Sequence, residues 1–323
     1  MENSKPKILS KQIPPEYAGK RLDQTLAALF PEFSRSQIQQ WIRAGDVSLD
    51  ASLPRQRHKV TGGENVEIRV PLIPALVWKA QAIPLQIIYE DAELLVINKS
   101  AGMVVHPAVG NYEGTLLNAL LDYAPELKSL ARAGIVHRLD KDTSGLLVVA
   151  RTERARLNLI KQLRARTVER EYLAIVNGVM VAGGTVEAPI GRHQRERTRM
   201  AVSAHGKPAI SHYRVIAKYR GHTLLTVKLE SGRTHQIRVH MAHLRYPVLG
   251  DPVYGGRLLM PRASSEKLIQ VLRGFKRQAL HAVKLGLIHP ATGEKRQWTA
   301  PVPEDMKQLM ETLMEDAKQS VTK

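Results

Sequence analysis

Apolar residues near the N-terminus recur at helical spacing. Leu22, Leu26, Leu29 and Phe30 stand at i, i+4, i+7 and i+8, one face of a helix that Pro31 ends. Ile38, Trp41 and Ile42 repeat the spacing in a second helix, with Ser34 or Ser36 as its cap and Gly45 as its stop. The period then falls to two. After "DVSL" and a turn-rich stretch, Val66, Ile68 and Val70 alternate with polar residues in "ENVEIRV", which predicts a strand pair. Residues 1–17 carry no such pattern and are expected to form a loose N-terminal arm, with a compact module over 18–75. "PLIPALVWKAQAIP" (71–84) holds three prolines and reads as a connection, its linker proper at 76–84.

Beyond it, strand and helix patterns mix. "LLVINK", "GLLVVAR", "EYLAIVNG" and "LLTVKLE" read as strands; "EGTLLNALLDYA" and "RARLNLIKQLRAR" read as helices. A last helix follows Pro303, with Met306, Leu309, Met310 and Leu313 on its packing face. The fold class is α+β, with one large domain over 85–318 and a short tail, 319–323.

Charge changes this picture from any globular protein to one made for a polyanion. Forty-eight Lys and Arg against thirty Asp and Glu leave +18 over 323 residues. The excess is spread through both parts, and it peaks at 151–170 and 192–220, where Glu196 is the one acid among eight basic residues. Aromatic residues are 5%, so gripping the backbone is a better fit than stacking bases on many rings. The chain has no cysteine, which excludes disulfides, thiol catalysis and Cys-based metal sites. Neither GxGxxG nor GxxxxGK[ST] occurs, so a nucleotide cofactor has no support. No apolar run approaches the ~20 residues of a membrane span, and the N-terminus lacks a signal-like apolar stretch. A soluble cytoplasmic protein is expected.

One stretch stands out against the apolar pattern. "HRLDKDTSG" (137–145) lies between "GIV" and "LLVVA", two expected strands, and is longer and more charged than a plain turn needs. Asp140 at its centre is ionised at neutral pH and needs no activating base to act as a nucleophile. Taken alone, a solvated charged turn explains it as well. In "ESGRTHQIRVHMAH" (230–243), Arg233 and Arg238 suit a carboxylate or a phosphate. His235, His240 and His243 suggest a metal, but no acid lies among them and no metal site is expected. Tyr172 stands in a strand beside Arg170 and Arg166, where a buried aromatic is the ordinary reading.

Taken together, these stretches carry a resemblance. "RLDQTLAALFP", "SRSQIQQWIRAGDVSL" and "VTGGENVEI" resemble an S4-type RNA-binding domain, with Asp50-Ala51 where that family often has Asn-Gly. Behind it, "HRLDKDTSGLLVVA", "REYLAIV" and "SGRTHQIRVH", in this order, resemble the pseudouridine synthases of ribosomal and transfer RNA, as do "INKSAGMVVHP", "GDPVYGG" and "ALHAVKLGLIHP". Ser100 departs from a common family proline. The resemblance implies an S4-like domain followed by a catalytic domain on a mixed, largely antiparallel sheet flanked by helices. It implies isomerisation of uridine to pseudouridine without cofactor or metal. Residue by residue it implies Asp140 as the catalytic aspartate, Tyr172 against the extruded base and Arg238 as partner of the aspartate, with Arg233 the fallback. Arg138 would fill the gap left by the flipped base, His137 would join it in binding RNA, and Lys20, Arg21, Arg35 and Arg43 would capture RNA on the S4-like module. The partner implied is 23S rRNA or an assembling large subunit, at loop uridines of helix 69, with the enzyme a monomer. Other rRNA or tRNA uridines, a non-catalytic RNA-binding or assembly factor and a metal-dependent nuclease using Asp140, Asp142 and a histidine are the rival readings.

Overall fold

The computed structural model describes residues 7–319 apart from 32, 34, 56, 71–77, 109, 110 and 197. The chain divides into two compact units, Met1–Val77 and Trp78–Lys323.

The first unit holds β1 (Lys7–Gln12), α1 (Leu22–Leu29), α2 (Arg35–Ala44), β2 (Val47–Leu49) and β3 (Asn65–Val70). The sheet runs β1-β3-β2, antiparallel throughout. Its core joins the two helical stripes, Leu22, Leu26, Phe30, Ile38, Trp41 and Ile42, to Val47, Val66 and Ile68 from the strands. The loose arm expected over residues 1–17 is corrected here. Residues 7–12 form β1, in register with β3 from Lys7↔Val70 to Gln12↔Asn65. Its pattern was weak because an edge strand is held by backbone pairing and needs little apolar alternation; Ile8 is exposed. Residues 1–6, Ser34 and residues 71–77 lie outside the described residues. Ser36 lies within α2, so it is not the cap.

The second unit continues with β4 (Ile87–Glu90), β5 (Leu94–Lys99), α3 (Leu116–Tyr123), β6 (Ser144–Ala150), α4 (Glu153–Arg164), β7 (Glu169–Asn177), β8 (Gly184–Glu187), β9 (Ile190–Arg192) and β10 (Met200–Val202). Then come β11 (Ile210–Lys218), β12 (His222–Leu229), α5 (Gln236–His243), α6 (Glu266–Gly274), β13 (Leu280–Ile288), β14 (Lys295–Thr299) and α7 (Glu304–Gln319). Nine strands make one sheet, in the order β4-β5-β6-β13-β7-β12-β11-β8 with β14 also on β13; β9 and β10 pair separately. Only β6 and β13 run parallel. All seven residues of β6 are buried because both sheet faces are covered. Leu147 and Val149 pack on the face that holds α3 and α7; Leu146, Val148 and Ala150 pack on the face that holds α4. Among the described residues no helix is long and apolar enough to cross a membrane.

Two expectations give way. The described part of the linker is laid onto this unit: Asn118 Nδ2 donates to the Lys79 carbonyl (2.8 Å), Gln81 N–H donates to the Asn118 carbonyl (3.0 Å), and Gly114 N–H donates to Gln81 Oε1 (2.6 Å). "GIV" is not a strand. Arg132, Ala133 and Gly134 have positive φ in a short 3-10 turn, and a single bridge, Ile135↔Val149, joins this segment to β6. An apolar triplet alone cannot distinguish a strand from a buried turn.

Candidate active site

Asp140 stands in the turn that leads into β6, and that turn is fastened on several sides. Thr143 N–H donates to the Asp140 carbonyl (3.1 Å). The Thr143 hydroxyl accepts from Gln278 Nε2 (3.0 Å), and Ser144 Oγ pairs with His281 Nδ1 (2.9 Å). Gly145 has φ +114°, and a Cβ there would lie 2.3 Å from the Ala282 carbonyl oxygen. "TSG" therefore does mechanical work: two hydroxyls anchor the turn, and the missing side chain lets β6 meet β13. From below, the buried Lys99 donates to the carbonyls of Ser100 (2.8 Å), Met103 (2.9 Å) and Lys141 (3.0 Å). Burial pushes its amine down to about 7, opposed by the Asp142 and Asp140 carboxylates. Three carbonyl acceptors require the three donors of an ammonium. The Ser100 carbonyl is thus tied down although the common family proline is absent.

Asp140 Oδ2 accepts from Arg238 Nη1 at 3.0 Å. Arg238, on the first turn of α5, turns its other edge to Asp251, with Nε to Oδ2 at 2.6 Å and Nη2 to Oδ1 at 2.8 Å. Asp251 Oδ1 also accepts the N–H groups of Val253 (2.8 Å) and Tyr254 (3.0 Å). Burial opposes the charge on Arg238, but the two carboxylates outweigh it and raise its pKa. Burial likewise opposes ionisation of Asp251, and Arg238 and the two N–H groups hold it below the usual carboxylate range. The guanidinium is locked in plane by one carboxylate and presents its remaining edge to the other. The other oxygen of Asp140 accepts no hydrogen bond among the described residues. His235 Nε2 stands 3.9 Å from it, and burial lowers the pKa of that imidazole. His235 is left-handed (φ 57°) at the start of α5, and its Nδ1 pairs with Tyr254 Oη (2.9 Å).

Asp140, His235 and Arg238 line a cavity of about 600 Å³, together with Tyr172, His106, His137, Arg138 and Arg233. Tyr172 is buried in β7 and belongs both to the core and to the cavity wall. Burial raises its pKa, so it is a neutral phenol at neutral pH. Arg138 is exposed and makes no ion pair or hydrogen bond among the described residues. His137 accepts the Val148 N–H at Nε2 (3.0 Å), and burial beside Arg170 lowers it to about 3. It is a neutral brace between the turn and β6. Arg233 donates from Nε to the Pro208 carbonyl (3.1 Å), and Arg238, not Arg233, is the arginine that reaches Asp140. Both ring nitrogens of His240 are engaged, by Ser211 Oγ and the Ala188 carbonyl. Among the described residues no three His, Asp or Glu are grouped to hold a metal ion.

Sequence reasoning assigned no role to Asp251 or Lys99. Both stand in motifs quoted for the resemblance, but a buried carboxylate or amine cannot be told from a surface one by type. In the first unit, Arg21 (3.0 Å) and Arg35 (2.8 Å) clamp the fully buried Asp23, while Lys20 stands 4.5 Å over the Tyr17 ring and Arg43 donates to the Gln39 carbonyl (3.2 Å). Two of the four cations expected on RNA therefore already serve an internal carboxylate.

Comparison with known proteins bears on this geometry. The family described as RNA pseudouridylate synthase matches residues 93–243, and the S4 domain matches residues 20–66. The chain is 53% identical over 305 residues to the ribosomal large subunit pseudouridine synthase D of Xanthomonas campestris, across 94% of this chain and 92% of that one. It is 52% identical over 299 residues to the protein of the same name from Escherichia coli O157:H7, across 92% of each. Among solved structures, human RNA pseudouridylate synthase domain containing 4 superposes with a TM-score of 0.56 at 26% identity, over 71% of this chain and 93% of that one.

Proposed function

The chain belongs to the RNA pseudouridine synthase family, and from that premise we propose that it isomerises uridines of 23S rRNA, at loop positions of helix 69, in free rRNA or an assembling large subunit. It acts as a monomer in the cytoplasm. In the reaction the N1–C1′ bond of uridine breaks and a C5–C1′ bond forms; the C5 hydrogen leaves as a proton and N1 gains one, so no oxidant or energy source enters. The observation that carries this reading is the carboxylate of Asp140. One oxygen is fixed by Arg238 and the other accepts no hydrogen bond from the described residues, within a cavity walled by Tyr172. A flipped base enters that cavity at a cost of a few kcal/mol in lost stacking, and the unpartnered Arg138 fills the gap it leaves.

The test is pseudouridine mapping by carbodiimide labelling and reverse transcription on a helix 69 hairpin, in EDTA, for the wild type and Asp140→Asn. Stops at loop uridines with the wild type alone are expected. Stops elsewhere in whole rRNA but not in this loop would move the substrate to another site. No stops in any rRNA from wild-type cells that are absent from a deletion strain would reject the reading.

A further inference from the structure

One part of the cavity wall is not used by the reaction just described. Arg164 at the end of α4, Arg166 after it, Arg170 in β7 and Arg233 before α5 all line the cavity, with Glu230 as the acid beside them. The Glu230 carboxylate is already shared between Arg166 (3.1 Å) and His212 (2.8 Å). Among the described residues Arg170 has no counter-ion. It is only 8% exposed; among the described residues its buried Nε has no hydrogen-bond partner and its one acceptor is the Glu230 main-chain carbonyl, 3.3 Å from Nη2. Gly232 makes this arrangement possible, since a Cβ there would lie 2.8 Å from Nη1.

A guanidinium cannot shed its charge, and burying one without an anion is costly. Burial accordingly pushes Arg170 below the ordinary arginine value, with only the Tyr172 phenol opposing. A neutral carbonyl of the base would leave that charge uncompensated, whereas a phosphate offers the fork both charge and paired acceptors. The placement agrees. Arg170 and Tyr172 are i and i+2 on one strand, so their side chains share a face about 7 Å apart. A nucleotide whose base lies against Tyr172 carries a phosphate across a similar span.

We infer that Arg170 is a phosphate receptor, pairing with a backbone phosphodiester that flanks the nucleotide held against Tyr172. The inference rests on the RNA substrate proposed above. It assigns the buried cation to positioning the strand, and the exposed Arg138 to the stack.

The test measures binding of the hairpin by fluorescence anisotropy over a salt series, in an Asp140→Asn background that stops turnover. Adding Arg170→Met should weaken binding about tenfold at low salt and make the slope of log K against log[salt] shallower by about 0.7–0.9, the value for one phosphate. Arg170→Lys should restore the slope. A hairpin with one neutral methylphosphonate at the flanking position should bind the parent protein as weakly as the normal hairpin binds Arg170→Met, and the two changes together should cost no more than either. An unchanged slope, or losses that add, would overturn the inference, as would a fall in kcat for Arg170→Met in the otherwise wild-type protein with unchanged RNA binding. If Arg170→Met fails to fold, Arg170→Gln, which also removes the charge, carries the same cycle with the two hairpins. Pseudouridine formation by the wild type on this hairpin is scored separately, so failure of the proposed activity and failure of the phosphate contact give different results.

Discussion

Asp23 and Asp140 are both carboxylates gripped by arginine, one in each unit, and they are gripped differently. Asp23 is fully buried and saturated: Arg21, Arg35 and Gln39 all donate to it. Burial opposes its ionisation, but these three donors outweigh it and hold the carboxyl at about 2. Every partner lies within sixteen residues in sequence, so the cluster is a local staple between α1 and α2. Among the described residues Asp140 has one side-chain donor to its carboxylate, from ninety-eight residues away, and that donor is itself anchored by Asp251. Its second oxygen is left to the cavity. A carboxylate with all its acceptors occupied stabilises a fold, while one held by a single rigid partner can still meet a substrate.

Four variants put this contrast at risk. Asp140→Asn should lower pseudouridine formation at least about a thousandfold while RNA affinity, measured by anisotropy, stays within about twofold. Retained turnover would reduce Asp140 to the status of Asp23. Asp251→Asn should loosen Arg238, whose charge-assisted bonds are worth about 1.5–3 kcal/mol. Single-turnover rates should fall roughly 10–100-fold with KM unchanged; a KM effect alone would make Asp251 a binding group. Arg21→Ala with Arg35→Ala should destabilise the first unit by about 1–3 kcal/mol, the partial exposure of both arginines discounting the cost of a fully buried pair. Hydrogen exchange of the α1 and α2 amides reads this in the whole protein, and turnover on a saturating minimal hairpin should not change. The Asp23 carboxyl is depressed from 3.8 to about 2, so its ionised form stabilises fully above about pH 4 and the contribution is lost as pH falls through about 2. Wild type and variant should converge there. The smallest effect is expected at the Asp50-Ala51 turn, where both residues have positive φ (44° and 61°). Ala51→Gly should slow exchange in β2 and β3 by a gain of up to about 1 kcal/mol.

Much of this was legible before folding because it is encoded by period and type. The helix stripes of α1, α2 and α7, the alternation in β3, the apolar runs of β6 and β7 and the charge of "HRLDKDTSG" are local properties of the chain. Linking Asp140, Tyr172 and Arg238 needed the family resemblance as well, since no spacing connects residues 32 and 98 apart. Strand β1 was missed because its partner, β3, lies more than fifty residues on and the pairing is made by backbone. "GIV" was misread because its three apolar residues have the same type in a buried turn as in a strand.

The sequence by itself determined the segments with a marked helical or alternating period, the cationic charge of the chain, and which side chains had chemistry to offer. The tertiary structure alone decided what each of those side chains faces. It gave Arg21 and Arg35 to a buried carboxylate, made His137 a neutral brace, set Asp251 behind Arg238, and left Arg170 buried without an anion. Residue type fixes the number of donors, acceptors and charges. Whether each is satisfied, and by what, depends on neighbours brought from far along the chain and on the water their packing excludes.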